Sequence, residues 1–508
     1  MRKKSKNPDA TEHFSVAGDR MPGKAEKGVS GTGETISGLD IFCLSAAIVS
    51  FTFVALTRIN ADFFYDEVYT LANYIFVPFQ NTVWIYLDAN NHFLSNLINS
   101  IVVKTWHIPD LFTLFDSPWK IRIVELLYAS GAVYFLWRMK EIFGVGIARY
   151  AVLLLVTCIP FLNYATLVRG YCLNVFLMSA LMYFVFAQGR NRKFGVMVTT
   201  GLLLYSMPSN IYVVTAIIIG FLLTGRYRDV LWIVFGVCFA GVAYLPLVQG
   251  LMSDTYLKAA YHFFNPTLLR IFPGALHSFV SWRYLLLIPV VIGLIQAKKR
   301  WSREATFLTS ILIIPFFLAW AKGGGHYERS FLVQLPAFCI LAAIGLGGMK
   351  WPARLKRWAY PAIASYCVAT MIISVAFYSH VLKNDILEGN PRRISILCNY
   401  WDAYFHPNAT LKEFASSRSN SVVLVRVNSD RAALSQYTAK YRFPGAVPEN
   451  RDSLYVISCE VPPGFILGQE GVAVERVNKN LDFHNIYLIR RTYGSSAIEP
   501  LSYLNRLK

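Results

Sequence analysis

Apolar stretches long enough to cross a bilayer recur between residues 40 and 379, and no other feature of the 508-residue chain restricts its fold as much. A hydrocarbon core of about 30 Å takes about 20 residues of helix, because lipid offers no partner to an unpaired backbone N–H or C=O. Such segments run at 40–57, 121–138, 149–165, 171–188, 195–208, 210–225, 230–250, 284–297, 305–321, 331–348 and 359–379. They predict a polytopic α-helical membrane protein of about eleven transmembrane helices. Composition agrees, with 55% hydrophobic and 16% charged residues against about 25% charged in soluble domains.

The net charge of +19 would suit a nucleic-acid partner only if it covered one face of a domain. Instead the cations sit in short loops after alternate spans: Arg138/Lys140, Arg190/Arg192/Lys193, Arg226/Arg228, Lys298/Lys299/Arg300/Arg303 and Lys350/Arg354/Lys356/Arg357. The positive-inside rule makes these loops cytoplasmic. It puts the loops at 58–120, 163–170, 251–283 and 322–330 on the outer side. Three regions are expected: a disordered cytoplasmic tail (1–38), a membrane domain (39–380) and an extracytoplasmic α/β domain (381–508). The last is read from strand-like runs at 421–427, 453–460 and 485–493, with a helix at 430–441 between the first two. Cys43, Cys158, Cys172, Cys238, Cys339 and Cys367 fall in apolar runs, leaving Cys398 and Cys459 as a candidate disulfide in the terminal region.

The first outer loop is unusually long, and two of its segments, FYDEVYTLANYIF and NHFLSNLINSIVVKTW, carry mixed faces at helical spacing. They are expected to lie along the membrane surface, with Trp84, Trp106 and Trp119 at interfacial depth. Asp66 and Glu67 open the first of these helices, where the dipole favours a charged carboxylate. Such a carboxylate can take a proton from a sugar hydroxyl as its oxygen attacks an activated carbon. It could equally be a helix cap. Outer-side cations are its complement: Arg169 in LVRGYCLN, and Lys322, His326 and Arg329 in AKGGGHYERSF. Together they could hold a lipid-linked phosphate leaving group, or singly a lipid headgroup. His92, behind the potential caps Asn90 and Asn91, is a further candidate for binding phosphate or acceptor. Asp66, Glu67, Asp88, His92, His326 and Glu328 could also hold a divalent metal, although they lack tight ligand spacing.

In this order the motifs resemble the GT-C superfamily of membrane glycosyltransferases, most of all the branch of protein O-mannosyltransferases and aminoarabinose lipid A transferases. The matching elements are the DE pair Asp66–Glu67, NNHFLSNL around His92, Arg169–Gly170–Tyr171 opening the fourth span, and RSFLVQLP with Arg329 and Pro336. The resemblance covers residues 40–380 and departs from the family in having no Arg shortly after the DE pair. It implies an inverting enzyme that moves one sugar from a polyprenyl-phosphate donor to a hydroxyl of an envelope glycan, lipid or protein. Asp66 would be the general base with Glu67 supporting it; Arg169, Arg329, Lys322 and His326 would hold the donor phosphate, and His92 and Tyr171 would bind acceptor or donor. No cofactor is implied, since the loop before the fourth span lacks the acidic motif of metal-dependent relatives.

Two other activities compete. A lipid-linked glycan flippase should carry ionisable residues near the bilayer midplane, whereas these cluster at outer span ends. A ligase using a polyprenyl diphosphate donor would need similar outer cations. The C-terminal YLNRLK is not an ER-retention ending, which leans the expectation towards a bacterial inner membrane.

Overall fold

The computed structural model describes residues 37–63, 65–85, 91–189, 191–253, 269, 271–281, 283–322 and 328–388, and in the C-terminal region 424–427, 440, 453–458, 472–476 and 485–491. The expected N-terminal tail, the Cys398–Cys459 pair and nearly all of the helix at 430–441 lie outside these residues.

Helix α1 (Gly38–Arg58) begins in a capping box, in which the Ser37 hydroxyl accepts the Asp40 N–H at 3.1 Å and the Asp40 carboxylate accepts the Ser37 N–H. This reciprocity satisfies two donors that an α-helix start leaves unpaired. The long loop that follows is built of short helices: α2 (Tyr65–Thr70), which runs into a π turn at Leu71–Ile75, then α3 (Phe79–Trp84), α4 (Phe93–Thr105) and α5 (Leu111–Phe115). Both segments expected to be surface helices are therefore helical. Trp84, Trp106 and Trp119 are all exposed. Ser95, Asn96, Asn99 and Ser100 of α4 are instead buried against the protein, so this helix offers part of its polar side to the interior. Neither Asn90 nor Asn91 is seen to cap it: Asn90 lies outside the described residues, His92 occupies the cap position, and Asn91 accepts a hydrogen bond from the Asn96 side chain at 2.7 Å.

The chain continues through α6 (Trp119–Arg138), α7 (Lys140–Phe143), α8 (Val145–Val156), α9 (Ile159–Tyr164) and α10 (Tyr171–Phe186). Later helices cover Arg192–Ser206, Ile211–Leu223, Tyr227–Tyr244, Leu287–Arg300, Ser302–Lys322, Leu335–Gly348 and Ala353–Glu388. Every apolar stretch singled out in the sequence contains helix. Among the described residues five helices are long and apolar enough on their own to cross a membrane, six if Phe272–Val280 and Tyr284–Arg300 form one bent span. The protein is thus an integral membrane protein, and the expected stretches that fall short do so for local reasons. α6 carries Arg122 and Glu125 in its buried face. The stretch at 149–165 is broken at Cys158, which is extended ahead of Pro160 in the first turn of α9.

Leu335–Gly348, buried along nearly its whole length, is the central helix and packs on α8 and on Leu287–Arg300. A helix apolar all round belongs in such a position. It starts at Leu335–Pro336, where proline costs no hydrogen bond, after a 3-10 segment Glu328–Gln334 that carries Arg329. In the C-terminal region β1 (Leu424–Val427), β2 (Ser453–Ser458), β3 (Val472–Arg476) and β4 (Asn485–Arg491) form one sheet in the order β1-β2-β4-β3. β1 and β2 are parallel and the other pairings antiparallel. Three strands match the sequence expectation; β3 was not anticipated.

Gly293 and Gly345 allow the backbones of Leu287–Arg300 and Leu335–Gly348 to touch, since a Cβ on Gly345 would overlap the Pro289 carbonyl oxygen. Small residues serve this purpose where two membrane helices cross closely. Gly345→Ala should lower thermal stability in detergent by about 1–3 kcal/mol. Gly241→Ala, where a Cβ meets open space, should leave the melting temperature unchanged or raise it; equal losses at both positions would refute the contact.

Candidate active site

At the end of the bundle where α1 stops and α6 and α10 begin, one guanidinium gathers four chain segments. Arg122, in the first turn of α6, pairs with Glu67 of α2 through Nε to Oε1 at 3.1 Å and Nη2 to Oε2 at 2.8 Å. Its remaining N–H groups donate to the carbonyls of Arg58 and Ile59 at 3.4 and 3.3 Å, of Ala61, and of Asp62 at 3.0 Å. These include last-turn carbonyls of α1, which have no intrahelical partner and carry the negative end of the helix dipole. The guanidinium also lies over the Phe63 ring, 4.7 Å from its centre. Glu67 is fully buried, and its Oε1 accepts the Val168 N–H at 2.8 Å. The pair therefore ties α1, α2 and α6 to the turn ahead of α10.

That turn presents Arg169. Its Nη2 lies 3.0 Å from Asp66 Oδ2, and its Nη1 donates to the Asp66 carbonyl at 3.3 Å. Arg329, from the 3-10 segment before the central helix, reaches the same Asp66 oxygen at 3.6 Å. Adjacent acids thus face different ways: Glu67 into the protein, and Asp66, partly exposed, towards two arginines. Gly170 has φ of 58° and begins α10, and a Cβ there would crowd His92 and Ser95. Glycine suits both the left-handed backbone and the close approach.

His92 completes the group. It is buried, its ring meets Tyr171 edge to face at 4.8 Å between centres, and its Nδ1 has no hydrogen-bond partner among the described residues. Burial, and then the charges of Arg169 and Arg329, hold its pKa well below the ordinary 6.5. The ring is accordingly neutral at physiological pH, with an unpaired polar nitrogen in a site rich in cations. Tyr171 also packs on Tyr164 at 4.7 Å and lies under the Arg169 guanidinium.

The sequence matches no family model and no curated protein. Among solved structures it is similar to ArnT from Cupriavidus metallidurans in the apo state, with a TM-score of 0.54 and 13% identity over 88% of this chain and 97% of that one. It is equally similar to ArnT from Cupriavidus metallidurans bound to undecaprenyl phosphate, at a TM-score of 0.54 and 12% identity over 91% and 100% of the two chains. The chain has the fold of ArnT. The GT-C resemblance drawn from short motifs is borne out at the level of architecture, and what the ArnT-like scaffold does here has to be argued from its own residues.

Within the ArnT fold, Asp66, Arg169 and Arg329 meet directly, with Tyr171 and His92 beside them. Glu67 stands one layer deeper. Lys322 ends the helix Ser302–Lys322, half-buried, while His326 and Asp88 lie outside the described residues. Among the described residues no three His, Cys, Asp or Glu side chains converge as metal ligands. Sequence reasoning missed Arg122 and Glu125. The signal was available in KIRIVELLY, where two ionisable residues interrupt an apolar span.

Two measurements follow from this geometry. Glu67→Gln leaves Arg122 buried without its counter-charge, which should cost about 3–5 kcal/mol of stability; thermal unfolding of purified protein reads it, and a loss below that of Gly241→Ala would contradict the pairing. For His92 the depressed folded pKa means that the unfolded chain takes up the proton first. Its stabilising contribution is complete above the ordinary value of 6.5 and is lost as pH falls below it, towards the lower folded value. Melting temperatures should drop between pH of about 7.5 and about 5 in wild type and less steeply in His92→Gln; parallel slopes would exclude a buried neutral His92.

Proposed function

We propose that the protein is an inverting glycosyltransferase that moves a single sugar from a polyprenyl-phosphate carrier to a hydroxyl of an envelope glycan, lipid or protein outside the membrane. The observation that carries this reading is Asp66 held between Arg169 and Arg329 at the end of an ArnT-like bundle. That ArnT has been captured with undecaprenyl phosphate supports a polyprenyl phosphate as donor here.

In this reading an acceptor hydroxyl gives its proton to an Asp66 carboxylate oxygen while the hydroxyl oxygen bonds to the anomeric carbon from the face opposite the phosphate. The bond from that carbon to the phosphate oxygen breaks, and its electron pair leaves with the polyprenyl phosphate. Arg169 and Arg329 meet the growing charge, as cations aimed at a leaving group do in a site shielded from water. The arginines that would hold the phosphate also pair with Asp66. Donor phosphate competes for the same N–H groups and releases the carboxylate when the leaving group is in place. His92 and Tyr171 line the pocket towards the sugar. Lys322 and His326 assist at the phosphate, and no metal is required because guanidinium groups supply the positive charge.

The orientation we propose has the N-terminus in the cytoplasm and this site outside, in a bacterial inner membrane, with about eleven spans. A flippase is less well supported. Glu125 is buried within a span but only about 9 Å along the helix axis from the start of α6, short of the bilayer midplane.

Asp66→Asn should reduce transfer by about 10²- to 10⁴-fold with donor binding retained; full activity of the purified variant, with donor and acceptor supplied, removes Asp66 from the role of base. Comparing envelope glycans and glycoproteins by mass spectrometry in a deletion strain rescued with wild type or Asp66→Asn identifies the sugar and acceptor. Treatment with a chelator should leave wild-type transfer unchanged, and metal-dependent recovery would overturn the metal-free mechanism.

A further inference from the structure

A helical threonine can turn its hydroxyl back to the carbonyl four residues earlier. Thr157, Thr199, Thr224, Thr309 and Thr370 all do so here, at 2.6–2.8 Å. Thr70, the last residue of α2, does not: it is buried, and its Oγ1 has no hydrogen-bond partner among the described residues. The carbonyl four residues before it is that of Asp66, to which Arg169 Nη1 already donates at 3.3 Å. Thr200 repeats the pattern, since its Oγ1 also lacks a partner among the described residues and the Val196 carbonyl four residues back accepts Thr199 Oγ1 at 3.4 Å. A buried hydroxyl left unpaired costs stability that a methyl group would avoid. Thr70 thus keeps, one helical turn from the candidate base, a donor that the site does not use while Arg169 holds the Asp66 carbonyl.

We infer that Thr70 is a positioning residue for Asp66 that acts when donor phosphate binds: as the phosphate draws Arg169 from the Asp66 carbonyl, the Thr70 hydroxyl turns to donate to that carbonyl in its place. Residues four apart lie on one face of a helix, so the exchange takes one rotation of the Thr70 side chain about its Cα–Cβ bond. Helix α2 has only six residues and passes straight into the π turn Leu71–Ile75, so few backbone bonds fix the direction of its carboxylate. A replacement donor on the Asp66 carbonyl steadies the base at the step in which its arginine tether is given up. Thr70 touches neither substrate nor reacting atoms, and the inference rests on the proposed function in that Arg169 holds the donor phosphate.

The test measures melting temperature and undecaprenyl phosphate binding of the full-length protein in detergent micelles for wild type, Thr70→Val, Thr70→Ser, Arg169→Ala, and Thr70→Val combined with Arg169→Ala. Valine has the shape of threonine without its hydroxyl, and serine keeps the hydroxyl. Without lipid, Thr70→Val should melt at or above wild type, because it removes a buried group that has no partner. It should bind undecaprenyl phosphate about 5-fold more weakly, the scale of one net hydrogen bond, and Thr70→Ser should bind like wild type. In the Arg169→Ala background Thr70→Val should have no further effect, because groups acting through one another are not additive. A threonine with a structural role alone would lower the melting temperature and leave affinity unchanged. A lower melting temperature in Thr70→Val, wild-type affinity in that variant, equal weakening in Thr70→Ser, or full additivity with Arg169→Ala would each overturn the inference. If Thr70→Val fails to fold, Thr70→Ala takes its place: weaker binding than in Thr70→Ser supports the inference and equal binding defeats it. Failure of wild type to bind undecaprenyl phosphate in an Arg169-dependent way would instead remove the transferase reading, and this inference with it.

Discussion

A guanidinium buried at the end of a membrane helix has few ways to be tolerated, and Arg122 uses most of them at once. Its charge is matched by Glu67, its N–H groups by Glu67 and by carbonyls around the end of α1, and its face by Phe63. A buried ion pair often returns little net stability compared with well-packed apolar residues. What it provides here is geometry. The end of α1, the start of α6 and the helix with the DE pair are fixed to one group, and the other face of Glu67 fixes the turn before α10. If that pair shifted, Asp66 and Arg169 would shift with it, because each is one residue away from an atom the pair holds.

The adjacent acids divide the work by their position on a short helix. Neighbouring helix residues point about 100° apart, so a DE pair can send one carboxylate into the protein and the other outwards. Glu67 takes the buried direction and Asp66 the partly exposed one. Sequence alone could not assign these directions, since both residues share the same local signals. Once Arg122 is known to sit inside, the assignment is forced: the buried cation takes the buried acid, and the acid left facing the pocket is the only one of the two that can reach a substrate.

The parts legible beforehand were those controlled by local pattern. Apolar length marked the helices, and motif order picked out Asp66, Arg169 and Arg329, whose side chains meet at one carboxylate oxygen of Asp66.

 The first two are 103 residues apart in sequence, so only the assembled bundle could show that contact. The hidden parts were those where tertiary contact decides. The roles of Arg122 and Glu125 could not be read from α6, because their partners come from α1, α2 and α4. The break at Cys158 and the 3-10 entry to the central helix also escaped hydropathy, which registers apolar length and is blind to backbone path. Strand β3 was passed over because five residues carry too little alternation to stand out before β4 is there to pair with them.

The pairing of Asp66 with two arginines bears on how such a site can exist at all. Two guanidinium groups brought together near lipid repel each other and lose hydration, and at an effective dielectric near 20 each like-charge contact costs about 4 kcal/mol at 4 Å. A carboxylate between them offsets that cost while no phosphate is present. In the proposed reaction it also sets a condition on the donor, whose phosphate must offer the arginines more than Asp66 does. A phosphate group meets that condition, because its several oxygens can accept from both forks where Asp66 offers both of them one oxygen, Oδ2. A neutral sugar or a free hydroxyl cannot. In the proposed reaction the arrangement would therefore select for a phosphorylated carrier before any sugar contact is made, and would keep the carboxylate occupied until that carrier arrives.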